Sequence, residues 1–305
     1  MKKAIIAGAT GLIGTAVANY LSLQGVKVLC LGRKMVAATA IEATFGHGAD
    51  YLRLLMEDIL TLKENVESLK WTPEDDCVFY NFAWSGENKL TDGSFEQQLK
   101  NAVEAANAVQ AAKSVGCSKF ISAGTMEETY AEEWMNNERK DAYISAQTNY
   151  ALAKLAARDM CKILAYLHKI DYVHTRLSVP LDYKLTKGSY IATTLKKIVA
   201  GQSYEEPADT RLFDIISTDD VARAYYLIGN YGKNKANYYI GTSKPGTLAQ
   251  YFQYVKDLIG GVECSDWGLM AVEKASLFDI SQLHTDTGFV AENKFQDLLT
   301  SDSRK

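Results

Sequence analysis

The stretch "AIIAGATGLIG", Ala4 to Gly14, decides the fold of this chain. Apolar residues typical of a buried strand lead into Gly8, Gly11 and Gly14, and an apolar helical pattern follows. One glycine allows a sharp turn, another lets the backbone approach a pyrophosphate, and the helix N-terminus offers N–H donors to the anion. The commonest fingerprint is GxGxxG and this one is GxxGxxG, but the placement still predicts a dinucleotide site in the first strand-turn-helix unit.

Short apolar runs alternate with helical patterns along the chain that follows. The runs "VKVLCLG", "CVFYNFAW", "KFISAG" and "YVHTRLSV" are typical of strands, and apolar periodicity predicts helices at about 12–24, 95–114 and 150–168. This alternation is typical of βαβ units, in which the strands are parallel. We therefore predict an α/β fold, a Rossmann-like doubly wound parallel sheet with a smaller C-terminal lobe.

The pattern loosens after Pro180, where a second lobe is expected to begin. Further on, "LFDIISTDDVARAYYLI" predicts a strand, a cap and a helix, with Thr218 or Asp219 accepting the N–H groups of the first turn. The predicted domains are residues 1–176 with about 211–242 for the NAD(P)-binding domain, and about 177–210 with 243–305 for the smaller substrate-binding lobe.

Composition and charge exclude several classes of function. Of the 305 residues 23% are charged, the formal net charge is −4, and no run of Lys or Arg could neutralise several phosphates of a nucleic acid. The N-terminal apolar stretch is too interrupted for a signal peptide and too short for a membrane span, so we expect a cytoplasmic protein without membrane contact. The five cysteines form no CxxC pair, so neither a disulfide framework nor a metal site is predicted.

The end of the second predicted strand distinguishes between the two nicotinamide dinucleotides. An acid at this point bonds the ribose 2′-hydroxyl of NAD, whereas a cation accommodates the 2′-phosphate of NADP. The sequence there is Gly32-Arg33-Lys34, with two cations and no carboxylate. NADP is therefore the predicted cofactor in preference to NAD. Asp58, in "MEDIL", is either a partner for the adenine amino group or a simple turn former.

A tyrosine and a lysine in "TNYALAK" form the first part of a catalytic constellation. Tyr150 and Lys154 are four residues apart, so both side chains leave the same face of the predicted helix. A phenol in water has a pKa of about 10, and a nearby ammonium is expected to lower it. Tyr150 can then exchange a proton with a carbonyl or an alcohol while hydride moves to or from a nicotinamide.

A third polar group is expected at the end of the preceding strand, in "KFISAGTMEETY". The hydroxyl of Thr125 can donate to a substrate oxygen and accept from Tyr150, and a side chain longer than Ser or Thr would not serve. Ser122 is the alternative hydroxyl. A second interpretation of Thr125 is that it satisfies only a backbone group where the strand ends.

Together these motifs resemble an extended short-chain dehydrogenase/reductase of the NAD(P)-dependent epimerase/dehydratase type. The resemblance rests on the three glycines, "NFA" at 81–83, Asn101, "ISAGT", "YALAK", "TRLSV", "DDVARA" and "FDISQLHTDTGF", and covers nearly the whole chain. It implies a Rossmann domain, a smaller lobe that usually holds a nucleotide sugar, and a homodimer formed through two sheet-flanking helices. Thr125, Tyr150 and Lys154 match the catalytic hydroxyl, tyrosine and lysine of the family.

The residues and the resemblance together give a set of predicted contacts. Those to the cofactor are Gly8, Thr10, Gly11, Leu12, Ile13, Gly14, Arg33, Lys34, Asp58, Ile59, Phe82, Ala83, Asn101, Tyr150 and Lys154. Those to the substrate are Trp84, Glu87, Arg176 and Arg211. Many family members grip the diphosphate with an arginine seven residues before the aspartate of "DVA". Phe213 stands there in this chain, and Arg211 is the nearest substitute.

Glu127 bears on which reaction the resemblance implies. In the sugar-nucleotide 4,6-dehydratases of this family, a glutamate two places after the catalytic threonine removes a proton beside the transient ketone. Thr125-Met126-Glu127 reproduces that spacing, yet Met126 replaces the acid that one dehydratase group uses on the departing hydroxyl. Glu127 is therefore a catalytic candidate, with a loop position or a substrate-hydroxyl contact as the alternative.

The leading functional hypothesis is an NADP-dependent oxidoreductase or epimerase acting on a ketone or secondary alcohol of a nucleotide-activated sugar, as a 4-keto reductase or 4-epimerase. The alternative is a nucleotide-sugar 4,6-dehydratase that uses Glu127 as base. Phe213 keeps open a reductase of a non-sugar ketone. A further hypothesis is a non-catalytic NADP-sensing protein, and the pairing of Tyr150 with Lys154 argues against it.

Overall fold

The computed structural model describes residues 1–68, 71–72, 76–86, 94–136, 148–186, 188–208, 211–262 and 275–300. The strands are β1 Lys3–Ala7, β2 Lys27–Gly32, β3 Asp50–Arg53, β4 Cys77–Asn81, β5 Lys119–Ala123, β6 Asp171–Leu177, β7 Val179–Leu181, β8 Leu212–Phe213, β9 Ile215–Ser217, β10 Asn237–Ile240 and β11 Gly246–Thr247. The α-helices are α1 Leu12–Leu23, α2 Ile41–Phe45, α3 Leu62–Ser68, α4 Phe95–Ser114, α5 Met126–Met135, α6 Thr148–His168, α7 Tyr190–Val199, α8 Thr218–Tyr231, α9 Leu248–Ile259, α10 Ser281–Thr287 and α11 Asp297–Thr300.

Seven strands form one sheet in the order β10-β6-β5-β4-β1-β2-β3. The pairs from β6 across to β3 are parallel. The order reverses around β1, which places β2 and β3 on one side and β4, β5 and β6 on the other, as in a doubly wound sheet. The predicted α/β, Rossmann-like fold class is therefore confirmed.

The strand register brings three strand ends to one edge of the sheet. Ala7 of β1 lies opposite Asn81 of β4, and Asn81 lies opposite Ser122 of β5. Because ligands of open α/β sheets bind beyond the carboxyl ends of the strands, the segments that follow these residues share one candidate site. They are the glycine turn after β1, residues 82–86 after β4, and Gly124 with Thr125 after β5.

Buried side chains on the strands hold this edge in place. Phe79 of β4 and Phe120 of β5 are fully buried and stack with their ring centroids 5.2 Å apart. Ala105, Ala108 and Ala112 line the buried face of α4, and such small side chains let helices approach closely. The sheet and its helices thus form a continuous apolar core beneath the candidate site.

By its internal contacts, the chain divides into two compact units. The first comprises Met1–Leu177 and Ala222–Tyr238, and the second comprises Ser178–Val221 and Tyr239–Lys305. The second unit has its own apolar core, which includes Leu195 of α7 and Phe252 of α9. The assignment of cofactor binding to one domain and substrate binding to the other stays a prediction.

The cap of α8 differs from the expectation that Thr218 or Asp219 fills this position. The hydroxyl of Ser217 accepts the N–H of Asp220 at 3.0 Å, and the helix already begins at Thr218. Strand β9 ends at Ser217, so the last residue of the strand also serves as the helix cap. Among the described helices, none has the length and apolar character needed to cross a bilayer.

Candidate active site

The turn after β1 is fixed by close backbone contacts. Gly8 has a φ of 78°, and a Cβ atom on it would lie 2.7 Å from the backbone nitrogen of Ala83. A Cβ atom on Gly14 would overlap the carbonyl oxygen of Gly8, which also accepts the N–H of Gly11 at 3.0 Å. Side chains at Gly8 and Gly14 would therefore separate the turn from the end of β4 and from helix α1.

The start of α1 suits an anion. The N-cap residue is Gly11, so no side-chain hydrogen bond caps this helix among the described residues. Its first turn contains no acidic residue. The first N–H groups of a helix have no partner inside the helix, and they carry the positive end of its dipole. A pyrophosphate at this turn would therefore meet N–H donors and no competing carboxylate.

A cavity of about 450 Å³ extends from this turn and has the features that a dinucleotide requires. Gly8, Thr10 and Gly11 line it, as do the apolar side chains of Leu54 and Ile59. Glycine backbone suits a pyrophosphate, and apolar walls suit a purine ring. The residues present therefore fit the dinucleotide predicted from the sequence.

Two cations lie on the wall of the same cavity. Arg33 and Lys34 follow β2, and both side chains are exposed. Their backbone is held from β3, because the hydroxyl of Tyr51 donates to the carbonyl of Lys34 at 2.6 Å and Nε of Arg53 donates to that of Arg33 at 3.2 Å. This loop can thus present two cations to an anionic group at the end of β2.

Several predicted cofactor contacts do not line this cavity. Those absent from its lining are Leu12, Ile13, Gly14, Asp58, Asn101, Tyr150 and Lys154, and their contacts to a cofactor stay predictions. The buried side chain of Asn101 accepts the N–H of Ser85 at 2.8 Å and donates to its carbonyl at 3.0 Å. Asn101 thus holds the loop after β4 in place. A bond from Asp58 to adenine stays a prediction.

The three predicted catalytic side chains lie together where β5 ends and α6 begins. The phenol of Tyr150 is hydrogen-bonded to the side chain of Thr125. The ammonium of Lys154 donates to the carbonyl of Ala123 at 2.8 Å and lies 3.8 Å from the ring centroid of Trp84. The Trp84 ring meets the Tyr150 ring edge-on, with centroids 5.8 Å apart. Trp84 also lines the cavity, so it connects the cavity wall to this group.

The pKa of Tyr150 is raised, contrary to the expectation that Lys154 lowers it. Burial of the phenol is the largest cause, and the negative charges of Glu128 and Glu127 raise the pKa further. The hydrogen bond from Thr125 lowers it only in part. The Lys154 ammonium lies 3.8 Å from the ring centroid of Trp84 and 5.7 Å from that of Tyr150. Tyr150 therefore carries its proton at neutral pH.

Thr125 contacts Tyr150 and also bonds backbone groups where the strand ends, and its bond to a substrate oxygen stays a prediction. Its hydroxyl accepts the N–H of Glu127 at 3.3 Å and also that of Glu128, and its own N–H donates to the Glu128 side chain at 2.9 Å. The two reciprocal bonds with Glu128 form a capping box. Helix α5 therefore begins directly after Thr125, where a strand end and a loop were expected. Glu127 lies half-buried in the first turn of this helix.

Ser122, the alternative hydroxyl, points into the interior. It is buried and lies 2.9 Å from the hydroxyl of Tyr172 and 2.9 Å from Nδ1 of His174. These contacts direct the Ser122 hydroxyl into the space between β5 and β6. Thr125 is thus the hydroxyl that meets Tyr150.

The predicted substrate contacts fall in different places. Arg176 donates to Glu128 at 3.3 Å, to the Thr129 hydroxyl at 2.9 Å and to Glu132 at 2.6 Å, so its guanidinium is engaged inside the first unit. Arg211, in the second unit, lies with its guanidinium carbon 5.6 Å from the ring centroid of Phe213. Glu87 lies outside the described residues. Substrate contacts by these three residues and by Trp84 stay predictions.

The sequence model of the NAD dependent epimerase/dehydratase family matches residues 4–241 of the chain. The chain belongs to this family. The predicted family and the predicted enzyme class, an NAD(P)-dependent enzyme of the extended short-chain dehydrogenase/reductase type, are thereby confirmed. A search of curated proteins by sequence finds no significant match.

Solved structures share the fold of this epimerase/dehydratase family member. The UDP-glucose 4-epimerase of Thermotoga maritima, crystallised with UDP-glucose, is 15% identical with a TM-score of 0.73, and the match covers 97% of this chain and 95% of that one. The Bordetella bronchiseptica enzyme WbmG, in complex with NAD and UDP, is 18% identical with a TM-score of 0.70 and coverages of 97% and 91%. The UDP-glucose 4-epimerase of Thermus thermophilus, in complex with NAD, is 17% identical with a TM-score of 0.72 and coverages of 97% and 96%.

Sequence reasoning missed one acid in the site of this family member. Glu128, adjacent to the Glu127 that was singled out, is fully buried beside the catalytic group and bonds the backbone of Thr125. The signal that could have found it is Thr-x-x-Glu, the spacing of a capping box. That spacing predicts both a helix after Thr125 and a structural partner for the threonine.

Proposed function

We propose that the protein reduces a ketone of a nucleotide-activated sugar, at C4, with NADPH. The observation that carries the proposal is the Tyr150 phenol, which lies with Lys154 and Thr125 beside Trp84 on the wall of a cavity that also exposes Arg33 and Lys34. A phenol that keeps its proton at neutral pH is a proton donor, and ketone reduction needs a donor at the carbonyl oxygen. Arg33 and Lys34 suit NADPH, and NADPH is consumed in a net reduction but not in a 4-epimerisation, so the reductase is the better fit.

The residues of the chain have separate tasks in this reaction. A bound nicotinamide supplies the hydride that forms the new C–H bond. Thr125 donates a hydrogen bond to the carbonyl oxygen, and Tyr150 transfers its proton to the same oxygen as the negative charge develops there. Lys154, on the same face of α6 as Tyr150, holds the ribose of the cofactor and supplies positive charge as the phenolate forms.

The proposed cofactor is NADP, although the description of the family names NAD. Support comes from Arg33 and Lys34 on the cavity wall at the end of β2, where NAD-binding proteins place a carboxylate. Glu57 also lines the cavity, but its carboxylate lies 2.8 Å from the ammonium of Lys100. The two cations after β2 are thus available to a 2′-phosphate.

Arg33→Ala combined with Lys34→Ala is expected to weaken NADPH binding by about 10- to 100-fold and to change NADH binding by less than about threefold. Hydrogen bonds to a charged group are worth about 1.5–3 kcal/mol, and each 1.4 kcal/mol is a factor of ten. Titration of both cofactors by fluorescence measures this difference. Lys100→Ala is the control, because Lys100 is a cation of the same cavity whose ammonium is already paired with the carboxylate of Glu57. Equal losses for both cofactors would contradict the assignment.

A nucleotide sugar is the proposed substrate because the family acts on such compounds, and two of the similar structures contain UDP-glucose or UDP by their descriptions. We also propose a homodimer, for which exposed apolar side chains on two sheet-flanking helices provide support. Val103 of α4 is 50% exposed, and Ile163 and Leu167 of α6 are 61% and 64% exposed. A cytoplasmic location is proposed because NADPH and nucleotide sugars are made there.

The reaction is tested by incubating the purified protein with nucleotide sugars and their 4-keto forms, with and without NADPH. Consumption of one NADPH for each alcohol formed is the expected result. Exchange of configuration at C4 without consumption would indicate an epimerase. If the wild type and Tyr150→Phe proteins were equally inactive on all substrates, the enzyme would act on another class of compound.

A 4,6-dehydratase is the second candidate, and the position of Glu127 favours it. The residue is half-buried, and its charge acts on Tyr150. Against it, the neighbouring position that would protonate the departing hydroxyl is the buried Met126.

Glu127→Gln separates these two reactions. A reductase is expected to keep its kcat within about fivefold, because its proton comes from Tyr150, whereas a dehydratase would lose about 10²–10⁴-fold with its base. Assays of NADPH consumption and of water loss on the same preparations measure both. Glu133→Gln, in the same helix, is the matched control. A loss of ketone reduction as large as that of Tyr150→Phe would contradict the proposal.

A further inference from the structure

An indole ring covers one of the catalytic side chains, and the proposed chemistry gives this ring no task. The ammonium of Lys154 lies 3.8 Å from the ring centroid of Trp84, well within the distance of about 6 Å at which a cation and an aromatic face attract each other. By comparison, two other lysines lie 5.2 and 5.6 Å from the ring centroid of Trp71. Tryptophan is also the aromatic side chain that attracts a cation most strongly.

The burial of Lys154 makes this contact stronger than one at the surface. Only 7% of the residue is exposed, although lysine is a strongly hydrated cation that is rarely buried without a partner. Its ammonium donates to the carbonyl of Ala123 at 2.8 Å, and the face of the indole lies against the same ammonium. The attraction between a cation and a ring increases where water is excluded, so Trp84 offsets part of the cost of burying this charge.

Trp84 is itself held in one orientation. Its Nε1 donates to Oε1 of Gln98 at 2.8 Å, and Gln98 is fully buried on α4. This bond fixes the plane of the ring from the side of the core. The backbone next to Trp84 is fixed as well, because the N–H of Ser85 donates to the side chain of Asn101 at 2.8 Å. The indole is therefore a preformed surface against which a lysine can settle.

The same indole also contacts the proposed proton donor. The rings of Trp84 and Tyr150 meet edge-on at 90°, with their centroids 5.8 Å apart. The Lys154 ammonium lies 5.7 Å from the ring centroid of Tyr150. Because Tyr150 and Lys154 are one helical turn apart on α6, a single side chain from the loop after β4 packs against both.

We infer that Trp84 is a positioning residue for the reaction, which holds the Lys154 ammonium beside Tyr150 by the attraction between the cation and the indole face. The inference rests on the proposed function, in which Tyr150 gives its proton to the ketone oxygen while Lys154 supplies positive charge. The stem of a lysine is flexible, and an ammonium that leaves this place no longer stabilises the phenolate that forms. This role acts on the rate through Lys154 and needs no contact between Trp84 and the substrate.

Nuclear magnetic resonance of the cofactor-free protein tests the contact itself. The ring current of an indole shifts protons above its face upfield, so the ε-methylene protons of Lys154 should resonate upfield of those of other lysines. Protein with isotope-labelled lysine shows these signals, and Lys154→Met identifies the one that belongs to Lys154. Trp84→Leu should return this signal to the ordinary range. A Lys154 signal already at the ordinary position in the wild type would overturn the inference.

Trp84→Leu is expected to lower kcat for ketone reduction by about 5- to 30-fold, the factor that corresponds to a cation–ring contact at a desolvated site. KM for the sugar should change by less than about threefold, because the lost interaction acts only in the transition state. Trp84→Phe keeps a ring face and should recover part of the loss. Trp134→Leu, which replaces a half-exposed indole of α5, is the control and should keep the kcat of the wild type. Equal kcat values in Trp84→Leu and Trp84→Phe would overturn the inference, since leucine preserves apolar packing without a ring.

A double-mutant cycle shows whether the effect of Trp84 passes through the charge of Lys154. Lys154→Met keeps an unbranched apolar stem and removes the ammonium. Trp84→Leu should lower the folding equilibrium constant of the wild type by about 5- to 30-fold more than that of Lys154→Met, as measured by denaturant unfolding. Equal losses in the two backgrounds would mean that Trp84 contributes packing alone, which would overturn the inference.

These experiments separate a failure of the inference from a failure of the proposed function. If Tyr150→Phe were as active as the wild type, the proposed function itself would fail. The lysine spectrum and the unfolding cycle need neither cofactor nor substrate, so they would still decide whether Trp84 holds Lys154. An upfield Lys154 signal with an unchanged kcat in Trp84→Leu would overturn the positioning role and leave the proposed reaction standing.

Discussion

Tyr150→Phe is expected to lower kcat for ketone reduction by about 10²–10⁴-fold, the range over which a positioned acid or base contributes to a rate. The change removes one oxygen, so the ring still meets Trp84 edge-on and the cavity wall remains in place. Dinucleotide binding should therefore stay within about threefold, because the glycine turn and the cations after β2 are untouched. Steady-state kinetics and a cofactor titration on the same preparation measure the two effects separately.

Tyr225→Phe is the matched control for this experiment. Tyr225 is another fully buried tyrosine of the first unit, and its hydroxyl lies 2.8 Å from that of Thr175. Thr175 also donates to the carbonyl of Ser122 at 3.1 Å, so it keeps a partner when the phenol is removed. The loss should be about 0.5–1.5 kcal/mol of unfolding free energy with kcat nearly unchanged. Equal kinetic losses in the two variants would contradict a chemical role for Tyr150.

Gly8→Ala is expected to cost about 2–5 kcal/mol of unfolding free energy and to reduce dinucleotide affinity at least about tenfold. The left-handed φ of 78° costs an alanine about 1–2 kcal/mol, and the overlap with Ala83 adds about 1–3 kcal/mol of overpacking. Relief of the overlap moves the turn away from β4 and so moves the pyrophosphate donors. Denaturant unfolding and a cofactor titration give the two values.

Gly25→Ala provides a control with almost the same backbone strain. Gly25 has a φ of 75°, and a Cβ atom on it would meet nothing within 4 Å. This variant should lose only the strain of about 1–2 kcal/mol and should bind the cofactor normally. If Gly8→Ala lost no more than Gly25→Ala in either measurement, the close contact between the turn and β4 would not be what shapes the site.

The fold could be predicted from the sequence because its signals are local. The glycine turn, the alternation of apolar strands with amphipathic helices, and the spacing of Tyr150 and Lys154 all lie within short windows. Helix α4 spans Phe95–Ser114, as the periodicity predicts, and helix α9 spans Leu248–Ile259. Ser94 and Thr247 cap these helices, which makes their beginnings easy to recognise.

The surroundings of the site depend on residues that are far apart in the sequence. Glu128 contacts His174 and Arg176 only because β6 pairs with β5, and no local sequence pattern predicts these contacts. For the same reason the rise in the pKa of Tyr150 could not be predicted, since its causes are burial and the charges of Glu128 and Glu127, which lie far from Tyr150 in the sequence. The beginning of helix α5 is predictable from the sequence, because its capping box has the local spacing Thr-x-x-Glu.

Transfer of label from NADPH to the sugar tests the central claim most directly. NADPH that carries deuterium at its transferable position is incubated with a 4-keto nucleotide sugar and the protein, and the product is analysed by mass spectrometry and NMR. We predict one deuterium at C4 of the product for each NADPH consumed, and a loss of about 10²–10⁴-fold in rate with Tyr150→Phe. A product altered at C4 or C6 without label and without net consumption of NADPH would contradict it.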